Sequence, residues 1–384
     1  MKRGTRMNWA GYALTAGLLA AAGAVAAQNS DQDRTRCAGN NPVLAISGCT
    51  AVIQAGREAN DSLAVVFHYR GNAYLERGDF DHAVADFAQA IRLNPGLPQN
   101  FYDRGRAYLA KKDTRRAIDD FNQVIRLNPD IPAAYDSRGV AYYEEGDVER
   151  AAQDYARAMM LDANYAPALV HRGNLYSDKG DYDRGIRDYD EAIRRDPRDA
   201  EAWHRRGEAY FRKQDYGRAA GDLDAALTLD PDNAHAVWRR AVTRFALGQF
   251  AGAAQDAERS GKLTPEFLYA ILWRYIANAK SEAGKPVLLL PFSGKIDISK
   301  WPGPVFAMYA GALTAGQVSD AAAKAAAGKS GAGYVCEAAF YIGELRLLRN
   351  DARGGEESLQ NAIKSCPHSF DEYHAAVAEL GRLQ

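Results

Sequence analysis

The chain is 384 residues long, which is enough for one extended repeat array or for two to three compact domains. One quarter of the residues are charged, yet the formal net charge is only −1. This balance excludes a protein that binds nucleic acid through an overall excess of basic charge.

The first 27 residues have the pattern of an export signal. Three basic residues precede an apolar stretch at residues 13–27, which ends in the small residues of a cleavage site at Ala27. The stretch is too short for a comfortable transmembrane helix. We therefore expect a periplasmic or secreted protein that meets a membrane only through its partners or through an uncleaved signal.

Residues 28–63 form an N-terminal segment that precedes a regular array. Within it, residues 45–56 match residues 83–94 of the array at an offset of 38. This match predicts a half-repeat that caps the array.

Residues 64–267 contain six copies of a 34-residue unit without an insertion. Each unit has two apolar-periodic stretches near 14 residues in length, joined by a short turn such as residues 77–79. Such stretches are too short to be stable alone, so each unit is predicted to be a helical hairpin. A small residue recurs at one position of every unit, namely Gly71, Gly105, Gly139, Gly173, Gly207 and Ala241.

The 34-residue period, with its small, aromatic, small and proline positions, resembles the tetratricopeptide repeat (TPR). The resemblance implies an all-α fold, a right-handed superhelical solenoid of TPR hairpins closed by a C-terminal capping helix. It also implies a scaffold or adaptor without enzymatic activity, which binds partner proteins or peptides in a concave groove.

An arginine precedes each recurrent small position, and an aspartate follows that arginine by 16 residues, as in Arg70 and Asp86. The midpoint of the pair lies at the hairpin turn, so both side chains stand at one level. The aspartate also lies 18 residues before the next arginine, Arg104, and can reach either one. We expect partly buried pairs; the alternative is an exposed basic stripe that binds an acidic polymer.

The array is interrupted after residue 267. Residues 268–335 contain degenerate repeats with a proline-rich break at 284–304, and residues 336–384 form a TPR-like hairpin and a capping helix. An apolar stripe of Phe370, Tyr373, Val377 and Leu380 is expected to pack this last helix. Two histidines beside the stripe, His368 and His374, are expected at the surface.

Parts of this C-terminal region resemble the tail of NlpI-type periplasmic TPR lipoproteins. They are residues 301–304 (WPGP), 336–343 (CEAAFYIG), 369–373 (SFDEY) and 378–380 (AEL). The resemblance implies an adaptor, able to form a homodimer, for envelope hydrolases of peptidoglycan and a processing protease. No lipobox precedes Cys37, so a lipid anchor is not implied.

The sequence shows no metalloprotease helix, phosphate-binding glycine loop or nucleophile elbow. We therefore predict no enzymatic activity, no cofactor and no metal site. The competing interpretation is a carbohydrate-binding or enzymatic protein that uses the irregular segment 284–333.

In TPR folds the groove is lined by first-helix residues. At the corresponding positions this chain has arginine, histidine and aromatic side chains, which suit an extended peptide with acidic groups. The predicted peptide-binding residues are Tyr69, Asn72, Arg106, Asn174, His204, Arg205, Glu208, Arg212, Trp238 and Arg239.

Four cysteines allow three connectivities, and an exported chain favours two disulfides. The midpoint of Cys336 and Cys366 falls at residue 351, in a predicted hairpin turn, so these two residues face each other. We expect this pair and the pair Cys37 and Cys49.

Overall fold

The structure is a computed structural model that describes residues 31–281, 296–326 and 332–384. The predicted signal segment, residues 284–295 of the proline-rich break and residues 327–331 lie outside the described residues. Across the described ranges the chain is helical, with no strand. The chain divides into two compact units at residues 171 and 172.

Unit 1 is a stack of helical hairpins, and the turns between helices are a few residues long. Its helices are α1 (31–37), α2 (Pro42–Ala55), α3 (Asn60–Glu76), α4 (Phe80–Leu93), α5 (Pro98–Ala110), α6 (Thr114–Leu127), α7 (Pro132–Glu144) and α8 (Val148–Leu161). The unit boundary falls within α9 (Ala166–Asp178).

Unit 2 continues with hairpins of the same kind and ends in a single helix. Its helices are α10 (Tyr182–Arg195), α11 (Ala200–Arg212), α12 (Tyr216–Leu229), α13 (Ala234–Ala246), α14 (Phe250–Leu263), α15 (Tyr269–Ser281), α16 (Gly303–Tyr309), α17 (Ala315–Ala326), α18 (Ala332–Leu348), α19 (Ala352–Ser365) and α20 (Asp371–Leu383). In both units consecutive helices pack as pairs, which confirms the predicted all-α solenoid of hairpins.

The turn inside a hairpin has a recurrent chemistry. At Gly78 and Gly146 the backbone has φ values of 74° and 83°, a left-handed conformation that glycine adopts without steric cost. The next residue, Asp79 or Asp147, accepts a hydrogen bond from the backbone N–H three residues later and thereby begins the second helix. The sequence therefore fixes both the turn and the helix start.

The recurrent glycine allows the two helices of a hairpin to approach. A Cβ atom on Gly139 would lie 2.7 Å from the ring of Tyr155, and one on Gly105 would lie 2.8 Å from Phe121. Both aromatic rings are fully buried. The glycine therefore makes room for the largest side chain of the facing helix.

The paired arginines and aspartates are structural, as predicted. Arg70 donates from Nε and Nη2 to the two carboxylate oxygens of Asp86, at 2.7 and 2.8 Å. The aspartates of this set are buried, and the arginines are mostly covered. The same two-bond contact occurs in Arg104–Asp120, Arg138–Asp154, Arg172–Asp188, Arg206–Asp222 and Arg240–Asp256.

The structure resolves which arginine each aspartate contacts: it is the arginine of the same hairpin. The contact with the preceding hairpin comes from a residue 16 positions before the arginine, which sequence reasoning missed. Arg70, at the start of the array, contacts Thr50, 20 positions before it, at 2.9 Å, whereas Asn122 accepts from Arg138 at 2.6 Å. Asp190 and Asp224 occupy the same position before Arg206 and Arg240. A polar residue two positions after the paired aspartate was the available signal.

Each unit contains one disulfide, in the predicted pairing. The Cα atoms of Cys37 and Cys49 are 4.5 Å apart, and those of Cys336 and Cys366 are 4.8 Å apart. The second bond joins α18 to the end of α19, with four residues between Cys366 and the start of α20. In the described ranges, none of the helices combines the length and the apolar character needed to cross a membrane.

Candidate functional site

The first helices of successive hairpins form one surface in each unit, which we call the first-helix face. In unit 1 it is built by α3, α5, α7 and the start of α9. Side chains connect neighbouring helices across it: His68 lies 2.9 Å from Oδ1 of Asn100, and the hydroxyl of Tyr102 lies 3.1 Å from that of Ser137.

Two buried carboxylates lie on the first-helix face of unit 1, Asp103 and Asp136, which are 2% and 4% exposed. Asp103 accepts from Gln99 at 2.8 Å and from Arg106 at 3.3 Å. Asp136 lies 2.8 Å from Nδ1 of His171 and accepts a longer bond from a tyrosine hydroxyl. Among the described residues, no arginine makes with either carboxylate the two-bond contact that the structural aspartates have.

Three of the predicted peptide-binding residues lie in unit 1. Tyr69 is 42% exposed and Arg106 has a half-exposed side chain. The side-chain nitrogen of Asn72 lies 2.9 Å from Nε2 of His68, so this amide orients a neighbour on the same helix. The structure therefore places Tyr69 and Arg106 where a partner can reach them.

In unit 2 the first-helix face of α11 and α13 is covered by the chain's own C-terminal segment. Trp238 donates from Nε1 to Oδ2 of Asp371 at 2.7 Å. Arg239 donates to Oδ1 of the same carboxylate and to Glu208. Arg212 donates to the backbone carbonyl of Ser369. Three of the predicted peptide-binding residues, Arg212, Trp238 and Arg239, thus contact a segment of polypeptide at the start of α20, and a fourth, Glu208, holds Arg239 in place.

The charges in this contact stabilise one another. Burial alone would raise the pKa of Asp371, but Arg239 and the hydrogen bond from Trp238 hold it below its usual value. Burial acts on Glu208 in the same way, and Arg239 and Arg212 lower its pKa. The carboxylate of α20 is therefore ionised at neutral pH, between two cations and an indole N–H.

His374 was expected at the surface and is instead 1% exposed, whereas His368 is exposed as expected. The His374 ring packs 4.4 Å from Phe211, and its Nδ1 lies 3.3 Å from the hydroxyl of Tyr216. Burial, assisted by the charge of Arg212, lowers the pKa of His374 to about 4. This histidine is therefore neutral at pH 7 and acts as a packing residue in the covered face.

The remaining predicted residues of unit 2 have local partners. Arg205 donates to Glu201 at 2.6 Å within α11, and His204 is buried beside the same carboxylate. Asn174 accepts from the hydroxyl of Tyr189 at 2.7 Å. These residues are therefore not brought together with Trp238 and Arg239 around Asp371.

The buried face of α20 differs from the predicted apolar stripe. Phe370, Tyr373, Val377 and Leu380 are only partly buried. The helix instead buries two acidic residues and a small-residue patch, namely Glu372, Ala375, Ala376 and Glu379. Acidic residues can be buried here because the surface beneath supplies cations and hydroxyls.

One of these acidic residues joins a buried ion cluster. Lys280 of α15 lies 2.6 Å from Glu379 of α20 and 3.0 Å from Glu344 of α18. Burial raises the pKa of Glu344 to about 7, although Lys280 lowers it in part. One cation between two carboxylates therefore fixes the middle of α20.

The other acidic residue, Glu372, ends a hydrogen-bond chain. Trp273 donates to the hydroxyl of Tyr341 at 3.0 Å, and this hydroxyl donates to Glu372 at 3.1 Å. Burial, reinforced by the negative charges of Glu337 and Asp371, raises the pKa of Glu372 to about 8. Glu372 is therefore largely protonated at neutral pH.

Three of the predicted residues, Arg212, Trp238 and Arg239, lie on the covered face of unit 2, but the sequence analysis did not predict the segment that covers it. Ser369, Asp371 and His374 were assigned to a terminal cap or to the surface. The available signal was the adjacent pair Asp371 and Glu372 in the first turn of the last helix. A capping helix that packs only on apolar residues is not expected to bury two adjacent carboxylates.

Comparison with known proteins agrees with this architecture. Residues 102–166, 171–233 and 207–265 match the family model described as Tetratricopeptide repeat, and residues 71–112 match a model described as TPR repeat. A search of curated proteins gives no match.

Among solved structures, the chain is similar to a tetratricopeptide repeat protein from Parabacteroides merdae. The identity is 19% and the TM-score 0.53, over 65% of this chain and 98% of that chain. It is also similar to the APC/C hetero-tetramer Cut9-Hcn1, with 18% identity and a TM-score of 0.53, over 59% of this chain and 45% of that chain. At these identities the similarity shows the fold alone.

Proposed function

Because residues 71–265 belong to the tetratricopeptide repeat family, we propose that this protein is a scaffold that binds partner polypeptides on its first-helix faces. The observation that carries the proposal is the covered face of unit 2. There, Arg212, Trp238 and Arg239 hold the segment Ser369–Asp371 by its backbone and its carboxylate. A surface that binds polypeptide within the chain has the chemistry to bind polypeptide from another chain.

The binding residues follow from this proposal. In unit 1 they are Tyr69, Asn72 and Arg106, and the accessible ones face solvent. In unit 2 they are Asn174, His204, Arg205, Glu208, Arg212, Trp238 and Arg239, of which Arg212, Trp238 and Arg239 contact the segment at the start of α20. The scaffold has no proposed catalytic group, cofactor or metal.

We place the scaffold in the periplasm or outside the cell. The signal-like pattern of residues 1–27 and the two disulfides support this location, because disulfides persist in oxidising compartments. The NlpI-type resemblance of the tail leads us to propose envelope hydrolases or proteases as partners, with a homodimer as the assembly.

A site-specific photo-cross-link tests the scaffold function. A benzophenone amino acid at position 69 lies on the first-helix face of unit 1, and the matched control at Met160 lies on α8, a second helix, and is strongly exposed. We expect position 69 to capture one reproducible envelope protein from cell extract, and Met160 to capture none. Equal capture at both positions, or none at position 69, contradicts a partner on this face.

A further inference from the structure

The segment that covers the face of unit 2 is held by polar contacts at the first turn of α20. Asp371 accepts a hydrogen bond from Trp238 at 2.7 Å and another from Arg239, whose side chain is 12% exposed. Arg212 donates to the backbone carbonyl of Ser369. These donors recognise a carboxylate and a nearby carbonyl oxygen, and any polypeptide with an acidic residue can supply both groups.

The residue before this carboxylate is recognised by shape. The ring of Phe370 lies against Gly333 of α18, where an added Cβ atom would come within 2.6 Å of the ring. The glycine therefore leaves room for an aromatic side chain beside the carboxylate site. The covered face thus fits a segment in which an aromatic residue directly precedes an acidic residue at the start of a helix.

The rest of α20 gains little from apolar burial. Its longer apolar side chains are only partly buried, and Leu383 is 45% exposed. Its buried side includes Glu372 and Glu379, and Nε2 of the buried His374 has no hydrogen-bond partner among the described residues. A buried polar group without a partner costs free energy that is recovered when water reaches it. Release of α20 therefore hydrates groups that are buried at a cost, which favours its exchange for another segment.

The two positions that bind Asp371 carry carboxylates in unit 1. Asp103 lies four repeats before Arg239, and Asp136 lies three repeats before Trp238. Negative charge at these positions repels an acidic segment, because like charges that face each other across an interface are costly. An acidic segment is therefore expected to select the face of unit 2.

We propose that the first turn of α20 is an internal ligand of the unit 2 face, and that a partner segment of the same kind displaces it. That segment presents an aromatic residue followed by aspartate or glutamate at the start of a helix. Its carboxylate takes the place of Asp371 beside Trp238 and Arg239, and its aromatic ring takes the place of Phe370. This inference rests on the proposed scaffold function and names the class of partner that binds unit 2.

Exchange in the full chain tests the inference with the segment supplied as a separate molecule. The probe is a fluorescently labelled synthetic peptide of residues 367–384, and fluorescence anisotropy measures its affinity. In the variant Asp371→Asn the chain's own segment loses its charge, while the surface beneath it is unchanged. We expect this variant to bind the peptide roughly tenfold or more tightly than the parent does, because its face is free in a larger fraction of the molecules.

Matched variants identify the contacts responsible. Asp320→Asn removes the same charge from an exposed position on α17 and should leave the affinity of the parent unchanged. Trp238→Phe, added to Asp371→Asn, removes the indole N–H and keeps an aromatic ring, so most of the gain should be lost. Peptides that carry Phe370→Ala or Asp371→Asn should bind the Asp371→Asn chain roughly tenfold or more weakly than the unchanged peptide.

A measurement on the parent chain does not depend on the folding of any variant. An excess of unlabelled peptide is added to the isotope-labelled parent, and NMR follows amide exchange in α20 of the chain. We expect the unchanged peptide to accelerate this exchange by displacing the helix, and the Asp371→Asn peptide at the same concentration to leave it unaltered.

The outcomes separate the two proposals. Equal affinity of the parent and the Asp371→Asn chain, equal binding of the three peptides, or no binding to either chain overturns the displacement inference. None of these results affects the scaffold function, because capture at position 69 reports on the face of unit 1. Normal exchange on unit 2 without capture at position 69 has the opposite meaning, since it contradicts a partner on unit 1 and leaves the displaceable segment standing.

Discussion

The first-helix faces of units 1 and 2 are built on the same repeat and differ at the two positions that contact α20 in unit 2. Unit 2 carries Arg239 and Trp238, which hold the carboxylate of α20, whereas unit 1 carries Asp103 and Asp136 at those positions. The positions that build the hairpins do not change: the arginine–aspartate contact recurs through both units. Fold and recognition are therefore encoded at separate positions of the repeat.

The most disruptive test of this contrast removes the cation beneath α20. Arg239→Ala leaves Asp371 and Glu208 buried without their shared partner, so we expect unit 2 to lose about 3–5 kcal/mol of unfolding free energy. Urea unfolding measures this loss, and amide exchange shows whether α20 is released.

The matched control for this variant is Arg205→Ala, in the same face. Its contact with Glu201 is half exposed, so the expected cost is below about 1 kcal/mol. If the two variants are equally stable, the carboxylate of Asp371 does not hold α20 in place.

A second test concerns what the units share. Asp154→Ala in unit 1 and Asp222→Ala in unit 2 each remove the two-bond partner of a largely covered guanidinium, which keeps a single contact with Asn122 or with the partly exposed Asp190, and we expect each to cost about 3 kcal/mol. Asp183→Ala breaks an exposed contact with Lys213 and should cost less than about 1 kcal/mol. If urea unfolding gives unequal costs for Asp154→Ala and Asp222→Ala, the arginine–aspartate contacts do not stabilise the two units in the same way.

A third test uses pH, and it should affect unit 2 alone. The pKa of Glu372 is about 8 in the folded chain, against 4.5 for an unperturbed glutamate. The folded chain therefore keeps a proton that the unfolded chain releases above pH 4.5, so the free energy of unfolding falls as pH rises from about 4.5 to 8.

The variant Glu372→Gln keeps the shape of the side chain and cannot lose a proton. We expect the parent to lose about 3 kcal/mol relative to this variant between about pH 5.5 and 8.5, or roughly 6–12 °C of melting temperature. Calorimetry of both proteins at the two pH values measures the difference. Parallel pH profiles would mean that Glu372 is ionised throughout.

The hairpin array could be predicted because its determinants are local and repeated. The spacing of Gly139 to Tyr155 and of Arg70 to Asp86 encodes helix contacts 16 residues apart, and six copies make the pattern unambiguous. The cysteine pair 336 and 366 was predictable for the same reason, since a hairpin turn lies midway between them.

The docking of α20 could not be predicted in this way. Its contacts join residues more than 130 positions apart, such as Trp238 and Asp371, and these contacts do not recur with the 34-residue repeat. Helical periodicity selected Phe370 and Leu380 as the buried side, because that reasoning assumes an apolar partner. The partner surface contains Lys280, Arg239 and Tyr341, so the acidic side of the helix turns inward.

The Cys336–Cys366 disulfide also limits which ligands can bind the covered face of unit 2. Only four residues separate Cys366 from Asp371, so α20 is tethered beside its binding surface at an effective concentration in the millimolar range for so short a linker. A free polypeptide must outcompete this tethered segment, and a weak ligand at micromolar concentration cannot do so. The covered face of unit 2 therefore binds only ligands that have high affinity, are present at high concentration or are themselves tethered. The exposed residues on the first-helix face of unit 1 set no such requirement.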